Sequence, residues 1–77
     1  MENPADYNKR MDAAANEETV PEMLALLATD ENRGVRTDVA RNKNTPADSL
    51  NILATDASHW VREAVVRNKS TSLETLI

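Results

Sequence analysis

The sequence predicts an all-α fold, a short solenoid of about three two-helix repeats with a period of 26 residues. Three observations carry that expectation. The chain of 77 residues contains one Gly and no strongly alternating β-branched run, so the usual signals for strands and hairpins are missing. The stretch "LATDENRGVRTDVARNKNT" at 27–45 returns as "LATDASHWVREAVVRNKST" at 53–71, with eleven identities in nineteen positions. Each period also holds two helix-start signals, each followed by apolar residues at helical spacing.

The register extends upstream. "NEETVPEMLALLATD" (16–30) matches "NKNTPADSLNILATD" (42–56), and Arg10, Asp12 and Ala14 align with Arg36, Asp38 and Ala40. The chain therefore reads as one domain, 1–77, with repeat units at 19–44 and 45–70 and partial units at 1–18 and 71–77.

Taken in order, the first element follows Asp6, which shares its register with Asn32 and Ser58. All three are good N-cap residues and mark the second helix of each period. The first helix of each period starts at Thr19, Thr45 and Thr71, each with an acid three positions later: Glu22, Asp48 and Glu74. That spacing predicts a reciprocal capping box, with Pro46 at the first helical position. Leu24, Leu27 and Ala28, then Leu50, Leu53 and Ala54, supply its apolar stripe, and "ATD" closes it. The stripe of the second helix is Val35 and Val39, then Val61 and Val65, with Ala14, Ala40 and Ala64 permitting close approach. Asn16, Asn42 and Asn68 follow its last turn, where asparagine tolerates the left-handed conformation that ends helices. Neither helix can bury its apolar face alone, so neighbouring repeats must stack.

Composition narrows the function classes. There is no Cys, which excludes disulfides and thiolate metal or iron–sulfur sites, and a single His leaves little for metal binding. "MENPADYNKR" has no apolar core of a signal peptide, and no apolar stretch approaches a membrane span. A cytoplasmic location is the default expectation. Net charge is −4, unevenly placed: residues 1–31 carry two basic and eight acidic groups, and residues 32–77 carry seven and five. An acidic chain is an unpromising nucleic-acid binder, although a local basic stripe is compatible with it. No Gly-rich phosphate loop, nucleophile–base arrangement or carboxylate pair outside the caps is visible, so no enzyme activity and no cofactor are expected.

"VRTDVARNKNTPADSLNILATD" and "VREAVVRNKSTSLETL" resemble the leucine-rich repeat variant, a bacterial family of short helical repeats in the wider armadillo/HEAT-like group. The resemblance covers about residues 7–77. It implies a right-handed superhelix in which each repeat pairs an α-helix with a short 3₁₀-type helix. The period of 26 is slightly longer than the family's usual repeat, which favours two α-helices per repeat here. The iron–sulfur cluster of some members has no ligands in this chain.

Functionally, a helical-repeat scaffold for protein–protein interaction is expected. The candidate binding surface comprises Arg41, Lys43, Trp60, Arg67 and Lys69. Trp60 stands where the preceding repeat has Gly34, so repeat geometry does not require it; a large amphipathic ring suits an interface and equally suits covering an end of the stack. Stacked repeats would align Arg41 with Arg67 and Lys43 with Lys69 as basic ladders, whose alternative use is nucleic-acid or polyanion binding. Arg36 and Arg62 read either as rungs of such a ladder or as ties between repeats, pairing with Asp30 and Asp56 or with helix-end carbonyls. Finally, "LETLI" places Leu73, Leu76 and Ile77 near an uncovered end. Either the chain belongs to a longer array or another molecule covers that end. A homodimer through it, with Trp60 as a further contact, is the expectation.

Overall fold

The structure, a computed structural model, describes residues 4–69 and Thr71. Among them are five α-helices and no strand: α1 (Pro4–Ala15), α2 (Pro21–Leu27), α3 (Arg33–Arg41), α4 (Ala47–Leu53) and α5 (His59–Arg67). α1 packs on α3 and α3 on α5, forming one layer, while α2 joins α1 to α3 and α4 joins α3 to α5 from the other side. α3 is thus the central element. Both helices of the 26-residue period are α-helical, α2 and α4 having seven residues and α3 and α5 nine.

The aliphatic stripes close one continuous core. Leu24, Leu27, Leu50 and Leu53 meet Val35, Val39, Val61 and Val65, with Ala14, Ala28, Ala40 and Ala64 at the close approaches. Helices of seven or nine residues are too short to persist alone in water. Burial of these side chains, worth about 1.5–3 kcal/mol for each Leu or Val, supplies what local propensity cannot.

Helix boundaries correct three sequence expectations. Thr19 and Thr45 are not N-caps: Val20 and Pro46 hold those positions, without side-chain capping bonds, so Glu22 and Asp48 stand at the second helical position and form no capping box. Each Thr hydroxyl instead donates backward, to a carbonyl in the last turn of the preceding helix. Thr19 bonds Ala13 at 2.6 Å, Thr45 bonds Val39 at 2.5 Å and Thr71 bonds Val65 at 2.6 Å. At Val39 and Val65 the carbonyl also accepts from the amide of the C-cap asparagine, so the threonine bond is a second one at that helix end. Asp6 lies in the first turn of α1, which already begins at Pro4, so it is not the N-cap residue of that helix.

The third correction concerns asparagine. No described residue has positive φ, and Asn42 and Asn68 are extended, at φ −74°. They end their helices without a left-handed turn because their side chains are engaged elsewhere. The Asn42 amide nitrogen donates to the carbonyls of Ala14 and Asn16, and Asn68 repeats the pattern one period later on Ala40 and Asn42.

At the starts of α3 and α5 the equivalent caps differ. Asn32 Oδ1 accepts from the amides of Gly34 and Val35 at 2.7 and 3.4 Å. Ser58 is also the N-cap residue, but its shorter side chain makes no capping bond and its hydroxyl is buried without a partner.

Candidate interaction surface

Two kinds of polar side chain recur in register, and each is committed to holding neighbouring helices together. The Asp that ends "ATD" folds back, so that Asp30 accepts from the Asn32 amide and Asp56 from the Ser58 amide, both at 2.9 Å. This fixes each carboxylate where an arginine twenty residues earlier can reach it. Arg10 grips Asp30 with Nε at 2.6 Å and Nη2 at 3.4 Å, and Arg36 grips Asp56 at 2.7 and 3.2 Å. Arg36 Nη1 also donates to the Asp30 carbonyl, and Arg62 Nη1 to that of Asp56. Arg36 therefore does combine the two tie roles expected for it. Its carboxylate is Asp56 and its carbonyl Asp30, whereas Arg62 makes the carbonyl bond.

Burial opposes ionisation of Asp30 and Asp56. Hydrogen bonds from Arg10 and Arg36 respectively, from the Asn32 and Ser58 amides, and the fields of neighbouring arginines outweigh it. Both carboxyls consequently sit below their ordinary pKa.

The outward side of α1, α3 and α5 is different. Trp60, 52% exposed, lies under the Arg33 guanidinium, 4.7 Å from its ring centroid, and stacks with His59 at 3.9 Å. Trp60, Arg33, Tyr7, Met11, Gly34, Thr37 and Asp38 line an open groove of about 510 Å³. Gly34 leaves room for the α3 cap, because a Cβ there would stand 2.9 Å from Asn32 Oδ1, with Met11 Sδ at 3.6 Å. A second groove of about 290 Å³ runs on between Glu17, Arg41 and Lys43, and Asp38 lines both. Burial pushes the Asp38 carboxyl above its ordinary pKa, and the nearby Arg41 offsets this only in part.

The candidate residues chosen from sequence are only partly brought together. Trp60 is in the first groove and Arg41 and Lys43 in the second. Lys43 pairs with Glu17 at 3.2 Å and Arg67 with Glu63 at 3.5 Å, and Lys69 is exposed beyond α5. Leu73, Leu76 and Ile77, the candidate self-association end, lie outside the described residues. Tyr7, Met11, Arg33, Gly34, Thr37 and Asp38 were not singled out as binding residues by sequence. For all but Asp38, which repeats Asp12, the signal is disagreement within the repeat: Tyr7, Arg33 and His59 share one register position, Met11, Thr37 and Glu63 another, and Gly34 aligns with Trp60.

Among the described residues, no group of three His, Asp or Glu side chains is placed to hold a metal ion, and no helix is long and apolar enough to cross a membrane. No protein-family model, curated protein or solved structure matches this chain.

Proposed function

We propose that the chain is a non-enzymatic helical-repeat module for protein–protein interaction, a short right-handed α-solenoid of the leucine-rich repeat variant kind, working in the cytoplasm. The observation that carries this reading is the division of labour among polar groups. At the seams, Arg10, Arg36, Asn42 and Asn68 are spent on Asp30, Asp56 and backbone carbonyls of the neighbouring helices. The outward groove is lined instead by Trp60, Tyr7 and Arg33, the residue types that dominate interface energetics. Its open shape suits a polypeptide segment better than a reaction that must exclude water.

Polyanion binding through the basic ladders has less support. Among the described residues, Glu17, Glu63 and Asp38 interrupt the row of Arg41, Lys43, Arg67 and Lys69, pairing with Lys43 and Arg67 and standing beside Arg41. The two readings part in an affinity capture by the immobilised chain, run with and without nuclease and repeated with Trp60→Ala. The interaction reading expects a protein partner that survives nuclease and is lost with the Trp60 variant. Release of all bound material by nuclease would replace it with the polyanion reading.

A further inference from the structure

We propose that the groove between α1, α3 and α5 takes an arginine or lysine side chain of a partner segment, its cationic head bonding Asp38 and its aliphatic stem lying along Met11 and Gly34. This rests on the protein-interaction reading and specifies the partner's chemistry.

Three carboxylates are half-buried among the described residues: Asp30, Asp38 and Asp56. Two are saturated by an arginine fork and a backbone amide. Asp38 has neither a hydrogen bond nor an ion pair within the described chain. A carboxylate partly removed from water without a partner is costly, and a cation delivered to it recovers that cost.

The chain's own cations do not close on Asp38. Arg41, one turn further along α3, reaches it by field alone. Arg33, one turn and more before it, rests on the Trp60 ring, and Lys43 stands against Glu17. The groove that Asp38 lines is lined also by Tyr7, Met11, Gly34 and Trp60, a lining suited to a methylene stem. An acidic segment would repel Asp38, and a wholly apolar one would bury it further without a partner. The overall charge of −4 draws basic segments toward the chain.

The test uses the full chain and capped pentapeptides Ala-Leu-Xaa-Leu-Ala, with Arg, Lys, norleucine or Glu at Xaa, followed by the Trp60 indole resonance. The Arg and Lys peptides should shift it saturably, and the norleucine and Glu peptides should bind roughly tenfold more weakly or worse. Asp38→Asn should abolish that preference, whereas Asp12→Asn, an equal charge change at an exposed acid, should preserve it. If Asp38→Asn does not fold by circular dichroism, Arg33→Gln is decisive, since removing the groove's own cation should tighten the Arg peptide more than Lys9→Gln does. Equal effects of the paired variants would overturn the assignment as diffuse charge attraction. Equal binding of the norleucine peptide would overturn the basic specificity while leaving an interaction groove. If no peptide moves Trp60, the groove assignment falls, and the capture experiment with Trp60→Ala judges the interaction reading separately.

Discussion

α3 and α5 are built from nearly the same words, yet they are held differently. Each ends in an Asn that reaches backward to the preceding neighbour: Asn42 to Ala14 and Asn16, Asn68 to Ala40 and Asn42. Each also carries an Arg that lays Nη1 on an "ATD" carbonyl. Of the two, Arg36 alone reaches forward to a carboxylate among the described residues, Asp56 twenty positions ahead, as Arg10 of α1 does to Asp30. Arg62 makes the carbonyl bond and is otherwise exposed. Backward ties belong to both helices, whereas of these two only α3 carries the forward tie, which α1 also makes through Arg10. An identical residue thus acquires structural weight from what the next repeat places opposite it.

The backward ties should have the largest effects. Asn42→Ala and Asn68→Ala each remove two bonds to helix-end carbonyls in a buried setting, and each should cost about 3 kcal/mol in urea unfolding. Asn16→Ala, whose side chain is exposed and accepts from Glu18, should cost well under half of that. If the three variants are equal, the amide ties are not what holds the seams.

The forward tie comes next. Arg36→Ala should cost about 2 kcal/mol by stranding Asp56, and Arg62→Ala less than about 1. The same contrast has a pH signature. Asp30 and Asp56 titrate below their unfolded values, so they stabilise the fold above about pH 4 and lose that contribution as pH falls through their folded pKa values. Arg36→Ala should therefore flatten the acid limb of the stability profile, its loss relative to the parent chain shrinking as pH falls through the folded pKa of Asp56, and Arg62→Ala should flatten it less. An unchanged limb in the Arg36 variant would separate Asp56 from the tie.

Smaller effects sharpen the comparison at the helix ends. Thr45→Ala should cost about 1 kcal/mol, through loss of the hydroxyl bond to Val39. Asp48→Asn should cost only a few tenths, because no capping box depends on it. At the helix starts, Asn32→Ala should cost about 1 kcal/mol and Ser58→Ala almost nothing, since the Ser58 hydroxyl caps nothing. Equal losses at Asn32 and Ser58 would show that the two starts are held alike.

Much of the all-helical architecture was legible because it rests on local and periodic signals. The 3.6-residue spacing of Leu and Val marked the core, and the caps at Asn32 and Ser58 marked two starts. The recurrence of Arg36 with Asp30 and Asp56 pointed to a tie. What stayed hidden was direction and distance. A threonine hydroxyl both donates and accepts, and spacing alone does not say that Thr45 serves the helix behind it rather than the one ahead. Asn42 carried a local turn reading because the carbonyls it uses lie 26 and 28 residues away. The groove was the least visible. It assembles Tyr7, Met11, Asp38 and Trp60, residues at different register positions in different repeats, and a search for agreement between repeats finds only Asp38, through Asp12, with nothing to join it to the others.

The fixed span of the ties bears on how such a chain can change in length. Arg36 to Asp56 spans twenty residues, and Asn68 to Ala40 and Asn42 spans 28 and 26, so each bond is closed within little more than one period. Duplication of residues 33–58 in tandem would carry Arg36 and Asp56 together into the new copy. It would also set the new copy's Asn42 over the old Ala40 and Asn42, just as Asn68 sits now. Every seam bond would be re-formed and none orphaned, whereas an insertion that is not a whole number of periods would misplace the bonds that span it. Growth by whole periods is thus the lengthening these bonds tolerate, and each added period would widen the outward face without redesign of the seam.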